Sequence, residues 1–524
     1  MALEMKSKGL IYCCIIFMSL FCVSFADNLT IIVLGNYRDI LAVTDETFVC
    51  ATLDWWPENK SDFGFHSWGK AGILNLDLDN KVLENAVKAF GNLRIRVGGS
   101  LQDQVDYKLG ASLGNCTNFT SEEDGLFGFS RGCLDMGRWN RMNKFFYETG
   151  AVITFGLNAL NGRHNKSTSD GSTLMEGAWD STNAYDFMSY NAYKGFKIDS
   201  YEFGNELSGS GIAVKVDAEQ YAKDIIILKK LIQKLYPNNS ANKPSVLGPG
   251  GFYDEDWFKQ FLSAAPVPSG VDGVTYHIYN LGSGKDQSVV LNGTHDPDVV
   301  NEANKTYYKI KTDMQPFGLN PWVSESGGSY SSGARNVSNT FANGFWYLNQ
   351  LGLTAKYNHP VFCRQTLIGG NYGLLNATTF IPNPDYYGAL LFHRLMGKTV
   401  LPANHNGSDF LRVYAHCSKN NTKGVSVLII NMSKSKTFEV KVEDNTKSYH
   451  VEDAKQREEY HLTPKGGSIQ SEVVLLNGKP LNLTETFDIP TMDPRLVNAT
   501  SPIRAAPYSI VFVTITDYNA SACA

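Results

Sequence analysis

Eight short apolar runs recur along residues 48–370, separated by longer stretches, several with helical periodicity. They are FVCATLDWW (48–56), LRIRVGG (93–99), AVITFGLNAL (151–160), SYEFGNE (200–206), SVLGPG (245–250), GVTYHIYN (273–280), PWVSES (321–326) and PVFCRQTLIGG (360–370). Stretches such as AEQYAKDIIILKKLIQKLYP (218–237) carry apolar residues at helical spacing and stop at a proline. This rhythm predicts βα units, and eight of them close naturally into a (β/α)8 barrel whose active site lies at the C-terminal ends of the strands. The barrel is expected over 46–400.

After about residue 401 the texture changes to short β-type segments joined by Gly, Pro, Asn and Lys turns, among them GVSVLIINMS and YSIVFVTITDY. This predicts a β-sandwich over 401–524. The early run LTIIVLG places the segment 27–45 with the sandwich rather than the barrel. No internal repeat or low-complexity tract interrupts this plan.

The first residues are expected to be a targeting segment. Lys6 and Lys8 precede an apolar run that ends in small residues at Ser24 and Ala26, so a signal peptide over 1–26 is expected, cleaved before Asp27. No later stretch is long and apolar enough for a stable membrane span. The product is therefore expected to be secreted or lumenal: extracellular, in the cell wall, or vacuolar through the secretory route. Acceptor sequons at Asn28, Asn59, Asn115, Asn118, Asn165, Asn292, Asn376, Asn431 and Asn498 are glycosylation candidates. Beyond the signal six cysteines remain. Cys116 with Cys133, and Cys417 with Cys523, are the candidate disulfides, while Cys50 and Cys363, in apolar strand runs, are expected as buried free thiols. A net charge of −5 without blocks of Lys or Arg gives no electrostatic reason to bind nucleic acid.

Two strand ends carry a carboxylate. Glu206 closes SYEFGNE and Glu325 lies in PWVSES, three βα units further on. In a barrel both would face one cleft, which is what glycoside hydrolysis needs: one group protonated to assist the leaving oxygen, the other ionised to attack the anomeric carbon. Asn205 stands beside Glu206 and is positioned to reach a sugar hydroxyl. His277 and Tyr279 share one face of their strand, and a Tyr279 hydroxyl donating to Glu325 would stabilise its carboxylate form. Gln365 and Tyr372 lie around the end of the last strand and are candidates to line the sugar pocket. A strand-end Glu is more often a solvated loop residue than a catalyst, His277 alone reads as a structural histidine, and one of Arg94 and Arg96 reads as a salt-bridge partner. No CxxC, HExxH or P-loop pattern points to a metal or nucleotide, and no cofactor is expected.

In order, LRIRVGGSLQD, TFGLNALNG, YEFGNELSG, VTYHIYN, PWVSESGGSYSSG and CRQTLIGGNYGLLN resemble the heparanase family of glycoside hydrolases, family 79, and its plant members most. The resemblance spans nearly the whole chain beyond the signal. It implies retaining hydrolysis of β-glucuronosyl groups, with Glu206 as acid/base, Glu325 as nucleophile and Tyr279 beside it. It also implies that Asn205, His277, Gln365, Tyr372, Asp54 and Ser100 line the glucuronate subsite, with the uronate carboxylate near Tyr372 and the main-chain N–H groups of Ser331 and Ser332, where the family often has glycine. The long excised linker and the basic clusters of the animal members are absent. This implies a single-chain exo-enzyme on a flavone glucuronide or an arabinogalactan-type glycan. An endo-β-glucuronidase on acidic polysaccharides is the alternative, and a non-catalytic carbohydrate-binding protein a more distant one.

Overall fold

The computed structural model describes residues 26–109, 117–167, 173–208, 214–237, 242–268, 270–419, 423–443 and 456–524. The expected signal residues 1–25 and the candidate residues Asn115 and Cys116 lie outside them. Eight parallel strands close a barrel: β1 (Val49–Asp54), β2 (Arg94–Gly98), β3 (Val152–Leu157), β4 (Ile198–Phe203), β5 (Ser245–Phe252), β6 (Gly273–His277), β7 (Trp322–Ser326) and β8 (Phe362–Arg364), with β8 pairing back onto β1. Sequential neighbours pair throughout, so β4 stands across the barrel from β8. β1, β2 and β6 are buried at every residue, as strands covered on both faces must be.

Helices cover the outside. Asn80 caps α1 (Lys81–Lys88) and Asp135 caps α2 (Met136–Thr149) by accepting first-turn N–H groups. After α3 (Thr182–Lys194), the long α4 (Ala218–Leu235) is capped in the same way by Asp217. Among the described residues, no helix is long and apolar enough to cross a membrane.

The C-terminal part is two stacked sheets. A nine-stranded sheet includes Met396–Leu401, Leu411–Ser418, Val425–Asn431, Gln456–Pro464 and Ser509–Ile515. A four-stranded sheet is built from Ala403–His405, Phe438–Glu443, Ile503–Ala505 and the N-terminal strand Asp27–Val33. Ile31 and Val33 join Val427, Val440 and Val513 in the core between them. The helix Phe341–Lys356 is buried at every residue but its last, because it is wedged between barrel and sandwich.

Two expectations are corrected. Cys50 and Cys363 are not free thiols: β1 and β8 are adjacent at the barrel's closure, the two residues face each other in register with Cα atoms 4.1 Å apart, and their sulfurs are bonded. Asn431 is no exposed acceptor. It is fully buried, and its Nδ2 donates to the carbonyls of Lys436, Ala505 and Ala506, pinning a turn of the sandwich. Cys417 is bonded to Cys523 as expected, and Cys133 is disulfide-bonded. Asn28, Asn59, Asn118, Asn165, Asn292 and Asn498 are exposed and Asn376 is half-buried.

Candidate active site

Glu206 lies three residues past β4 in the turn Gly204–Asn205–Glu206. Its backbone is left-handed (φ 57°), a conformation that costs a side-chain-bearing residue on the order of 1 kcal/mol or more and persists only where its surroundings enforce it. The enforcement is visible. The Glu206 N–H donates to the Gly250 carbonyl (2.8 Å), and the preceding Asn205 N–H donates to the Asp103 carboxylate (2.8 Å). Glu325, in contrast, sits inside β7, opposite His277 at the end of β6.

A single cation organises the floor. Arg96 of β2 is fully buried, and its guanidinium donates to Glu202 Oε2 (2.6 Å), Glu325 Oε2 (2.8 Å) and Asn205 Oδ1 (2.8 Å). The second Glu325 oxygen accepts from the Tyr279 hydroxyl at 2.7 Å. Burial, followed by the Glu325 charge, pushes the Tyr279 phenol well up, so it stays a donor. Burial is the largest influence on Glu202 and pushes it up, but the Arg96 and His277 charges and the hydrogen bonds from Thr275 and Arg96 together hold that carboxyl below its ordinary value.

Glu206 has no such compensation. Burial pushes its carboxyl up to about 7, with Arg96 only partly opposing. Among the described residues its side chain meets His277, whose Nδ1 lies 3.0 Å from Glu206 Oε1. Burial drives the His277 imidazole down to about 4, so the ring is neutral near neutral pH. The two carboxylates therefore differ in kind: one tied to a guanidinium and a phenol, the other a poised acid. If Glu206 must be protonated to act, kcat/KM should fall as pH rises through about 7. A pH–rate profile on an unactivated glucuronide checks this, and a basic limb above pH 9 would contradict it.

One donor atom each from Glu206, His277 and Glu325 lie within 4.8 Å of one another. That closeness fits the short carboxylate separation of retaining glycosidases, roughly 5 Å, better than the roughly 6.5–9.5 Å that inverting enzymes leave for a water. The same three donors are close enough for a metal ion, but the Arg96 guanidinium on Glu325 already supplies the positive charge there.

Beyond Asn205 and His277, the expected sugar-binding residues gather around the ends of β7, β8, β1 and β2. Asp54 ends β1 and accepts from Gln365 Nε2 at 2.8 Å; burial, then the Glu325 charge, push its carboxyl well up. Gln365 also accepts from Thr52 and reaches the Tyr372 hydroxyl at 3.4 Å. Gly99, with φ 100°, lets the chain pass Asp54, since a Cβ there would lie 2.0 Å from its carboxylate. Ser100 follows, half-buried. Ser331 and Ser332 both adopt the left-handed conformation (φ 56° and 64°) beside Tyr372, against whose ring Gly333 packs.

Sequence reasoning missed Glu202 and Asp103 and left Arg96 undecided between roles. The signal for Arg96 and Glu202 was a charge of each sign deep inside a buried strand, where an apolar residue is the rule. Asp103 carried no signal: it lies in a short 3-10 turn after β2, accepts from the N–H groups of Ala159 and Asn205, and is pushed by burial up to about 7 against those bonds.

A closed parallel (β/α)8 barrel with two carboxylates converging at its C-terminal face defines a glycoside hydrolase. Residues 30–352 match glycosyl hydrolase family 79, N-terminal domain, and the chain belongs to that family. It is 47% identical to heparanase-like protein 1 of Arabidopsis thaliana, over 94% of each chain, and 38% identical to baicalin-beta-D-glucuronidase of Scutellaria baicalensis, over 98% of this chain and 97% of that one. Among solved structures, a 4-O-alpha-L-rhamnosyl-beta-D-glucuronidase from Fusarium oxysporum superposes with a TM-score of 0.63 at 15% identity, covering 93% of this chain and all of that one, which is likeness of fold.

Proposed function

We propose that the protein is a retaining exo-β-D-glucuronidase that removes terminal glucuronosyl groups from flavone glucuronides or arabinogalactan-type glycans. The reading rests first on the carboxylate pair: Glu206 and Glu325 oxygens within 4.8 Å, one group poised as an acid near pH 7 and the other held by Arg96 and Tyr279. Similarity to a baicalin-beta-D-glucuronidase supports the choice of glucuronate.

In this reaction Glu325 attacks C1 of the glucuronate while the C1–O bond breaks and Glu206 gives its proton to the departing oxygen. The product is a glucuronosyl ester on Glu325. A water then attacks C1, Glu206 takes a proton from it, the ester bond breaks, and glucuronic acid leaves with Glu206 protonated again. Tyr279 and Arg96 each hold a Glu325 oxygen in the free enzyme, and both contacts must loosen as its charge passes into the ester. Asp54, Ser100, Asn205, His277, Gln365 and Tyr372 line the sugar, and the N–H groups of Ser331 and Ser332 meet its carboxylate. The apolar start of the chain and the exposed sequons support a glycosylated product of the secretory route, secreted or lumenal.

The test is release of free glucuronic acid from a flavone 7-O-glucuronide by the purified protein. Release from that substrate, and removal of single glucuronate units from a glycan end, fit the proposal. Inertness there, with shortening of a glucuronate-containing polysaccharide into oligosaccharides, replaces it with endo-cleavage.

A further inference from the structure

The loop after β1 and the loop after β7 are tied together at Ser332. Its Oγ accepts from the Trp68 indole N–H at 2.7 Å and donates to Asp62 Oδ2. The other Asp62 oxygen pairs with Lys60 at 3.3 Å. Trp68 is fully buried and packs edge-on against Tyr372, with ring centroids 6.2 Å apart. A second tie, the Arg335 guanidinium 4.5 Å above the Phe65 ring, joins the same two loops further out. The β7 loop is itself anchored behind, through Tyr330 N–H to the Gly282 carbonyl and Gly284 N–H to the Tyr330 carbonyl. The link is therefore a rigid bridge between anchored segments rather than a contact of two free loops.

Its position follows from the barrel order. The acid stands past the end of β4 and must meet the leaving-group oxygen on C1, so the aglycone leaves on the β4 side. In a pyranose C4 lies across the ring from C1. The C4 end of a bound glucuronate therefore points away from β4, towards β8 and β1, where Tyr372, Trp68, Asp62 and Ser332 stand. We propose that the Asp62–Ser332–Trp68 bridge is a wall across the non-reducing side of the sugar site, and that it restricts the enzyme to glucuronate bearing no further sugar on O4. Ser332 is the specificity-determining residue, because a residue without its hydroxyl removes both bonds of the bridge while its left-handed backbone accepts glycine without strain. This inference rests on the exo-glucuronidase reading and gives it a physical cause.

The experiment compares kcat/KM for 4-nitrophenyl β-glucuronide with that for the same compound carrying an α-rhamnosyl group on O4, in wild type, Ser332→Gly and Asp62→Ala. In wild type the ratio of extended to terminal substrate should be very small, and each variant should raise it by about tenfold or more, the scale on which pocket sterics discriminate. A variant with too little turnover is carried through as binding of the two compounds in a Glu325→Gln background. A wild-type ratio near one overturns the exo reading and the wall with it. A small wild-type ratio left unchanged in both variants overturns the wall alone.

Discussion

Glu325→Gln should abolish glucuronide turnover, with a loss on the order of 10⁴–10⁶ in kcat, because the carboxylate facing the acid Glu206 is the one that must attack C1. The amide keeps the shape and one acceptor for Tyr279 but cannot form the glycosyl ester. Glu206→Gln should behave differently. Loss of general acid help costs about 10²–10⁴ on a poor leaving group, yet an aryl glucuronide with an acidic phenol leaves without a proton. Its first step survives, the ester accumulates for want of a base to activate water, and a burst of phenol precedes a slow steady state. A burst in Glu206→Gln and none in Glu325→Gln assigns the roles. Equal loss of both without a burst would remove the two-step mechanism.

Arg96→Leu should be the most destabilising single change in the barrel floor. It leaves Glu202 and Glu325 in the interior without their cation, and breaking a buried pair from one side costs about 3–5 kcal/mol. Urea unfolding followed by tryptophan fluorescence measures it. The double change Arg96→Leu with Glu202→Leu should recover part of that stability, since the Glu202 charge is gone and Glu325 keeps the Tyr279 hydroxyl, but not the activity, because Glu325 and Asn205 lose the guanidinium that positions them. Loss below about 1 kcal/mol in the single variant would mean that the carboxylates simply take up protons, and that the guanidinium is not what organises the floor.

The barrel and its two glutamates were legible for the same reason. A strand buried on both faces must be apolar, so a carboxylate at its end marks the place where the chain leaves the core for the cleft. Arg96 was visible as a charge inside a strand, but its partner Glu202 was missed, because which inward residues meet depends on the stagger of β2 against β4. The Cys50–Cys363 bond was hidden by its span of 313 residues: only closure of β8 onto β1 makes the two cysteines neighbours. Asn431 carried a sequon yet turned inward, since a three-residue pattern does not say which face of a strand it occupies. The Ser332 bridge lies beyond sequence reasoning altogether. Its partners come from an irregular loop 270 residues earlier, where no periodicity constrains direction.

The strand Asp27–Val33 lies in the four-stranded sheet between Ala403–His405 and Phe438–Glu443, running parallel to the latter. A ribosome delivers it among the first segments and its partners only after the whole barrel has emerged. Until then Ile31 and Val33 have nothing to pack against, while βα units can assemble with their sequential neighbours as they appear. Emergence of the final strands then stitches the chain's beginning to its end, so a shortened transcript that encodes an intact barrel would still display a sticky, unpaired leading strand.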